Sequence, residues 1–270
     1  MASTAGTRAT GGGTVRILNC LPSPDQEDDW TFASAEEAGV AAARARLPAS
    51  VDLRAAWWAV GDQGRTGSCV GWAVADSLLR WHFVKAGRLA QARLLSVRFA
   101  WMAAKETDPL TQRPTTFIEP EGTTLKAALD VARRYGAVLD DDLPFARPKL
   151  FAGGAKAFYL KAAQRKIASY VNLGRDVRAW KQWLAGHGPV LTRLDCDDAW
   201  MDLGPTGKLT AYDGSTTHGG HAVALVGYTA DHLVVRNSWG TAKWGDKGFA
   251  YASHRYAEDA FTEAYGVTVT

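Results

Sequence analysis

A thiol, an imidazole and a carboxamide stand far apart in this sequence, each framed in a way that would put it to chemical use. Cys69 follows Gln63-Gly64-Arg65-Thr66-Gly67-Ser68 and opens an apolar pattern, Val70, Val74, Leu78 and Trp81. Spacings of three and four predict a helix that begins at the cysteine and stops at Gly87. A thiol at a helix N-terminus faces partly positive N–H groups, which favour thiolate. An isolated cysteine is more often apolar filling, so Cys69 needs partners before it counts as reactive. His221 heads the strand-like run to Tyr228, and Asn237 leaves the next such run. A cysteine nucleophile needs a base that takes its proton and later protonates a leaving amine, and the base needs a third group to fix its ring. Cys69, His221 and Asn237 supply those three roles. A thiolate–imidazolium pair of this kind predicts a bell-shaped dependence of rate on pH.

The blocks around these residues resemble the papain family of cysteine peptidases. Leu47-Pro48-Ala49-Ser50-Val51-Asp52-Leu53-Arg54 is similar to that family's mature N-terminus. Asp62-Gln63-Gly64 with Gly67-Ser68-Cys69 resembles its nucleophile segment, and Gly219-Gly220-His221-Ala222-Val223 its histidine segment. Asn237-Ser238-Trp239-Gly240 and Trp244-Gly245-Asp246-Lys247-Gly248-Phe249 resemble its asparagine segment. The likeness runs from Leu47 to Tyr251. It implies an α+β papain-like fold of two lobes, the first helical, the second an antiparallel β-barrel-like lobe, with the active site in the cleft between them. It also implies hydrolysis of peptide bonds through a thioester on Cys69. Gln63 and the Cys69 N–H would stabilise the oxyanion, Trp239 would cover the Asn237–His221 hydrogen bond, and the Gly122 backbone would hold an extended substrate. No metal or organic cofactor is required. Two positions depart from the family: Thr66 stands where a disulfide-forming cysteine is common, and Val70 where an aromatic usually follows the nucleophile. An acyltransferase or deamidase would use the same thioester, and an inactive binding module would share the scaffold, so both stay open.

The elements that must position these groups are legible in part. Residues 1 to about 28, with Gly11-Gly12-Gly13 and the acidic run Asp25 to Asp29, read as a flexible lead. A helix over Ala33 to Arg46, capped by Ser34, is expected next. Residues 1–46 are thus expected as an N-terminal extension, either regulatory, lying over the cleft with Trp30 and Phe32 as its anchors, or a tail without effect, and 47–270 as the peptidase domain. Helices over Ser96 to Lys105 and Thr124 to Tyr135 flank a long connection, Asp108 to Gly122. Beyond them come strands at Ile167–Val171, Val190–Leu194, Ala222–Tyr228, His232–Arg236 and Gly248–Ala252, with one helix carrying Val177, Trp180 and Leu184.

Bulk properties narrow the rest. The chain has 270 residues, 47% hydrophobic and 22% charged, with a net charge of +3 and no basic block. Nucleic acid and acidic membranes are therefore not expected as partners, and a peptide or protein substrate bound by a monomer is. No apolar run nears the roughly 18 residues of a spanning helix. Met1 to Val15 lacks a basic segment followed by an apolar one, so the expected location is cytoplasmic. Cys20, Cys69 and Cys196 have no metal-type spacing and are expected as free thiols. Cys20 reads as incidental, Cys196 as a strand-end residue, and His218 as a solvated loop residue. Eleven tryptophans read as core filling.

Overall fold

The structure is a computed structural model and describes residues 7–11, 13–42, 46–107, 122–147 and 149–269. Most of the expected connection from Asp108 to Gly122 lies outside the described residues.

The helix opened by Cys69 forms as its apolar spacing requires. Segments Cys69–Gly71, Trp72–Leu79 and Arg80–Lys85 follow one another without a break, the middle one wound more widely as a π-helix. Gly87 then adopts a left-handed backbone (φ +70°), which lets the chain fold back so that Leu89 N–H reaches the Phe83 carbonyl. Two helices pack against this one, Val97–Thr107 and Leu125–Arg134. Their starts are capped: Ser96 Oγ accepts from Phe99 N–H at 3.0 Å, and Thr124 Oγ1 from Ala127 N–H at 3.1 Å. Val74, Leu78, Phe83, Leu125 and Leu129 fill the core of this helical lobe, and Cys69 is buried among them.

The second lobe is built on strands β3 (Val51–Asp52), β4 (Ser169–Asn172), β5 (Val190–Cys196), β6 (Lys208–Leu209), β7 (Gly219–Tyr228), β8 (His232–Arg236), β9 (Phe249–Ser253) and β10 (Phe261–Thr268). Their order is β4-β10-β5-β7-β8-β9-β6, with β3 continuing along β7 beyond β5. The barrel-like closure expected for this lobe does not occur. The sheet ends on β4 and β6, and β6 runs parallel to β9 while the other pairs are antiparallel. Trp180, Trp183, Trp200 and Trp244 are fully buried in the core of this lobe, as the tryptophan content implied, and the helices Val177–Gly186 and His254–Ala260 pack on its sheet. Strand β10, which lies between β4 and β5 next to the sheet edge, has no counterpart among the expected strands.

The N-terminal lead is ordered where it is described, against the expectation of a flexible segment. Strands β1 (Thr7–Gly11) and β2 (Thr14–Leu18) form a hairpin closed by the pair Gly11 and Thr14. Gly-Gly between two β-type runs is a recognised hairpin signal, so the same residues that suggest flexibility also suit a tight turn. The following helix is short, Phe32–Glu37, and its cap is Thr31, whose Oγ1 accepts from Ser34 N–H, rather than Ser34. Gly39 turns the chain out of it at φ +68°. Phe32 packs edge-on against Trp183 in the second lobe, and Trp30 is 59% exposed. Neither enters the cleft.

Candidate active site

Cys69 starts its helix at the boundary between the lobes, and His221 sits third in β7, paired with Leu194 of β5. The Cys69 sulfur receives the N–H of Ala222, the residue after His221, as well as N–H groups at its own helix start. Asn237 directly follows β8. Its Oδ1 accepts from Ser238 N–H at 2.8 Å, which fixes the orientation of the amide, and stands 2.7 Å from His221 Nε2. An acceptor at that position keeps the proton on Nε2, so the basic nitrogen of the neutral ring is Nδ1. Nδ1 has no hydrogen-bond partner among the described residues. Trp239 lies over the His221 ring with centroids 5.0 Å apart, and Trp200 meets it edge-on at 5.9 Å. The cover by Trp239 was anticipated; Trp200, on a one-turn helix that no periodicity announces, was not.

Gln63 is buried against the same site. Its Oε1 accepts from Ser238 Oγ at 2.8 Å, and its Nε2 donates to the Thr66 carbonyl at 3.0 Å, leaving the second amide hydrogen for another acceptor. Thr66 does more than replace a cysteine. Its hydroxyl donates to the Gln63 carbonyl and accepts from the Ser68 hydroxyl, stitching the loop before Cys69 without a disulfide. Cys20, Cys69 and Cys196 are all free and buried.

A buried ion cluster ties the two halves of the site together. Asp76, on the helix of Cys69, bonds Arg80 at 3.1 Å and Arg236 at 2.6 Å. Arg236 immediately precedes Asn237, also bonds Ser77 Oγ, and stacks on Trp58. This pairing fixes the end of β8 against the cysteine helix. The sequence reading missed it, because its partners lie 160 residues apart.

Residues Thr14 to Ser23 run directly over these groups. Arg16 donates to Asp62, to the Gly64 carbonyl and to the Trp239 carbonyl, and its guanidinium stacks on Trp239. Asn19 Oδ1 stands 3.8 Å from the Cys69 sulfur. Cys20 N–H donates to the Gly220 carbonyl at 3.0 Å, next to His221. Leu21 N–H donates to Thr123 at 3.1 Å and bridges Thr124 in parallel. At Gly122 a Cβ would meet the Asn19 carbonyl at 1.5 Å, so only glycine lets this strap pass. The expected peptide-holding position thus receives a peptide, but the hydrogen bond goes to Thr123 and Gly122 supplies clearance. Cys20, read as incidental, is buried at the centre of the cleft.

This cover reverses the electrostatics expected from the helix start. Burial pushes the Cys69 thiol up to about 11, outweighing the N–H groups that lower it, and pulls His221 down to about 4 although Asn237 favours its charged form. With the strap in place the pair is a neutral thiol and imidazole, because an ion pair in a dry cleft lacks the solvation that charges require. His218 lies outside the site, in a loop as expected, where it makes an exposed contact with Asp198 at 2.5 Å. Among the described residues there is no cluster of three or more metal-type ligands, and no helix is long and apolar enough to cross a membrane.

Comparison with known proteins adds to this geometry. The model of the family described as papain family cysteine protease matches residues 47–267. Cathepsin L1 of Drosophila melanogaster is 26% identical over 221 residues, 78% of this chain and 55% of that protein. Cysteine proteinase B of Leishmania mexicana is 35% identical over 88 residues, 31% of this chain and 19% of that protein. The chain therefore spans about half the first relative's length and a fifth of the second's. Among solved structures, xylellain, a cysteine protease from Xylella fastidiosa, superposes with a TM-score of 0.77 at 20% identity over 100% of this chain and 99% of that one. A Carica candamarcensis cysteine protease in complex with E-64 superposes at 0.60 and 19% identity, over 83% of this chain and 100% of that one. At these identities the structural likeness bears on the fold.

Proposed function

The chain belongs to the papain family of cysteine proteases, and from that premise we propose that it hydrolyses peptide bonds through an acyl thioester on Cys69. The observation that carries the reading is the Asn237 amide. Held by Ser238 N–H, it keeps the His221 proton on Nε2 and leaves Nδ1 free beside the cysteine helix. Nδ1 takes the Cys69 proton, the thiolate attacks the scissile carbonyl, and the developing oxyanion receives the second Gln63 amide hydrogen and the Cys69 N–H. His221 then protonates the leaving amine, and water, deprotonated by the same ring, releases the acid. Each oxyanion donor is worth about 2.7–4 kcal/mol of barrier. Trp239 and Trp200 keep water from the imidazole–amide bond, which preserves its strength.

The strap gives residues 1–46 a role in this reading: it inhibits. A substrate cannot share the cleft with Asn19 and Cys20, and the strap itself offers no carbonyl for attack at Cys20, since that oxygen accepts from Arg193 Nε at 2.9 Å. Substrate entry requires residues 14–23 to lift. The inhibitory anchors are then Arg16, Asn19 and Cys20, in place of Trp30 and Phe32.

The test is hydrolysis of a fluorogenic peptide library by the full chain, with products read by mass spectrometry. Cys69→Ala should abolish cleavage while leaving thermal unfolding intact, and iodoacetamide should modify Cys69 in step with loss of activity. Ligated or deamidated peptides in place of cleaved ones would replace hydrolysis by acyl transfer or deamidation. Undiminished cleavage by Cys69→Ala would overturn the assignment.

A further inference from the structure

Two thiols meet where the strap crosses the start of the cysteine helix, and the proposed hydrolysis uses one of them. Cys20 is 2% exposed and packs in the same apolar cluster as Cys69. Its neighbour Asn19 accepts from the Cys69 thiol at 3.8 Å. The Cys20 backbone is clamped from two sides: its N–H donates to the Gly220 carbonyl at 3.0 Å, and its carbonyl accepts from Arg193 Nε at 2.9 Å. Gly220 and Ala222, whose N–H reaches the Cys69 sulfur, are alternate residues of β7, so one short stretch of strand holds both cysteines. Three residues on, Ser23 N–H donates to Glu263 of β10 at 2.8 Å and pins the strap beyond Cys20. The Cys20 thiol itself is held loosely, by a 3.9 Å contact with the Leu21 carbonyl.

Electrostatics report the same proximity. Burial first, and Cys69 second, hold the Cys20 thiol well above its ordinary range, whereas Arg193 favours its thiolate. The influence of Cys69 lasts only while that sulfur can carry charge. A sulfenic acid on Cys69 is neutral, which removes the largest charge opposing the Cys20 thiolate and leaves Arg193 to act against the weaker Glu263 and Asp195. The thiolate is the attacking form in sulfur exchange. Cys196 also lies within electrostatic reach of Cys69, but it belongs to the core of the second lobe and is paired with Gly219 in the sheet. A disulfide needs Cα atoms about 4.4–6.8 Å apart with the Cβ atoms turned together. A strap that lifts and resettles can reach that geometry, whereas a paired strand is fixed.

We propose that Cys20 is a resolving thiol for Cys69: when peroxide oxidises Cys69, Cys20 captures it as a disulfide that locks the strap over the cleft until a thiol reductant opens it. In the open form the Cys69 sulfur attacks hydrogen peroxide and the O–O bond breaks. One oxygen stays on sulfur as the sulfenic acid, and the other leaves as water. When the strap resettles, the Cys20 sulfur attacks the Cys69 sulfur, the S–O bond breaks, and the hydroxyl departs with the Cys20 proton as a second water. Two thiols are thereby oxidised by one peroxide. Without Cys20 the sulfenic acid proceeds to sulfinic acid, which thiols do not reduce.

The experiment treats the full chain, Cys20→Ser and Cys20→Ala with hydrogen peroxide, stops the reaction with catalase and iodoacetamide, and maps peptides by mass spectrometry with and without dithiothreitol. The full chain should yield a peptide pair linked through Cys20 and Cys69, and dithiothreitol should return Cys69 as a free thiol. In both variants the sulfinic acid fraction of Cys69 should rise about tenfold, because no tethered thiol at an effective concentration on the order of 1 mM competes with peroxide. The link in the full chain is read directly, so it decides the matter even if neither variant folds. Masses are measured and not hydrolysis: a Cys20–Cys69 link in a chain that cleaves no peptide would sustain this inference and remove only the peptidase reading. A full chain whose Cys69 stays reduced, passes to sulfinic acid as fast as in the variants, or links to Cys196 instead would overturn it.

Discussion

The helix that begins at Cys69 and the strap that lies on it face the same cleft and are held by different forces. Residues 69–71 and 73–83 of the helix are buried on every side, and the ion cluster of Asp76, Arg80 and Arg236 locks that helix to the strand before Asn237. The strap buries Ile17, Leu18 and Cys20, but its grip across the cleft consists chiefly of hydrogen bonds from Arg16, Cys20, Leu21 and Ser23. Each typically contributes about 0.5–1.5 kcal/mol net, since water can replace either partner. The helix is therefore part of the folded core, whereas the strap, on the proposed reading, is an occupant that can leave without unfolding its host.

The sharpest way to break that contrast is to injure the helix side. Asp76→Ala strands two buried guanidinium groups, and should cost about 3–5 kcal/mol in urea unfolding. A loss below about 1 kcal/mol would mean that the cluster does not secure the lobes. On the strap side, Arg16→Ala removes three hydrogen bonds and the stack on Trp239. Iodoacetamide alkylation of Cys69 should accelerate about tenfold with little change in unfolding midpoint, the two readouts moving in opposite proportion to those for Asp76→Ala. Equal alkylation rates would show that the strap does not guard the thiol.

Protons sharpen the comparison further. His221 titrates at about 4 under the strap against an ordinary 6.5, so the closed form binds fewer protons than an open one in that interval. Closure must then weaken as pH falls from 6.5 toward 4, by up to about tenfold per pH unit. The Cys69 thiol, raised from 9.0 to about 11, weakens closure on the alkaline side in the same way. Amide hydrogen exchange of residues 14–23, corrected for intrinsic rates, should be slowest between pH 6.5 and 9.0 and faster at pH 5. Flat protection would uncouple the strap from the pair beneath it. The smallest effect is expected at the other histidine of the loop. His218→Ala removes only its exposed contact with Asp198, and should change stability by about 0.5 kcal/mol or less, with the pH dependence of exchange unaltered.

Legibility followed the range of the interactions. The cysteine helix, its stop at Gly87, the helix starts at Ser96 and Thr124 and the strands of His221 and Asn237 rest on spacings of three, four or two residues. Those spacings are visible along the chain. Cys69, His221, Asn237 and Gln63 were recognisable because each sits in a short block whose neighbours constrain it. Trp200, Arg193, Glu263 and the Asp76–Arg236 pair belong to no such block, and their partners lie tens to hundreds of residues away. The N-terminal hairpin carried a local signal, Gly-Gly, that was read as flexibility.

The amino-acid order alone thus specifies which groups can react and which elements present them, since backbone periodicity and turn chemistry act over a few residues. Whether those groups are charged, covered or open to substrate is not a local property. The opposite shifts of Cys69 and His221, the open edge of the sheet and the hold of Arg193 on the strap come from packing distant segments together. Desolvation acts on all atoms within reach, whatever their separation in the chain.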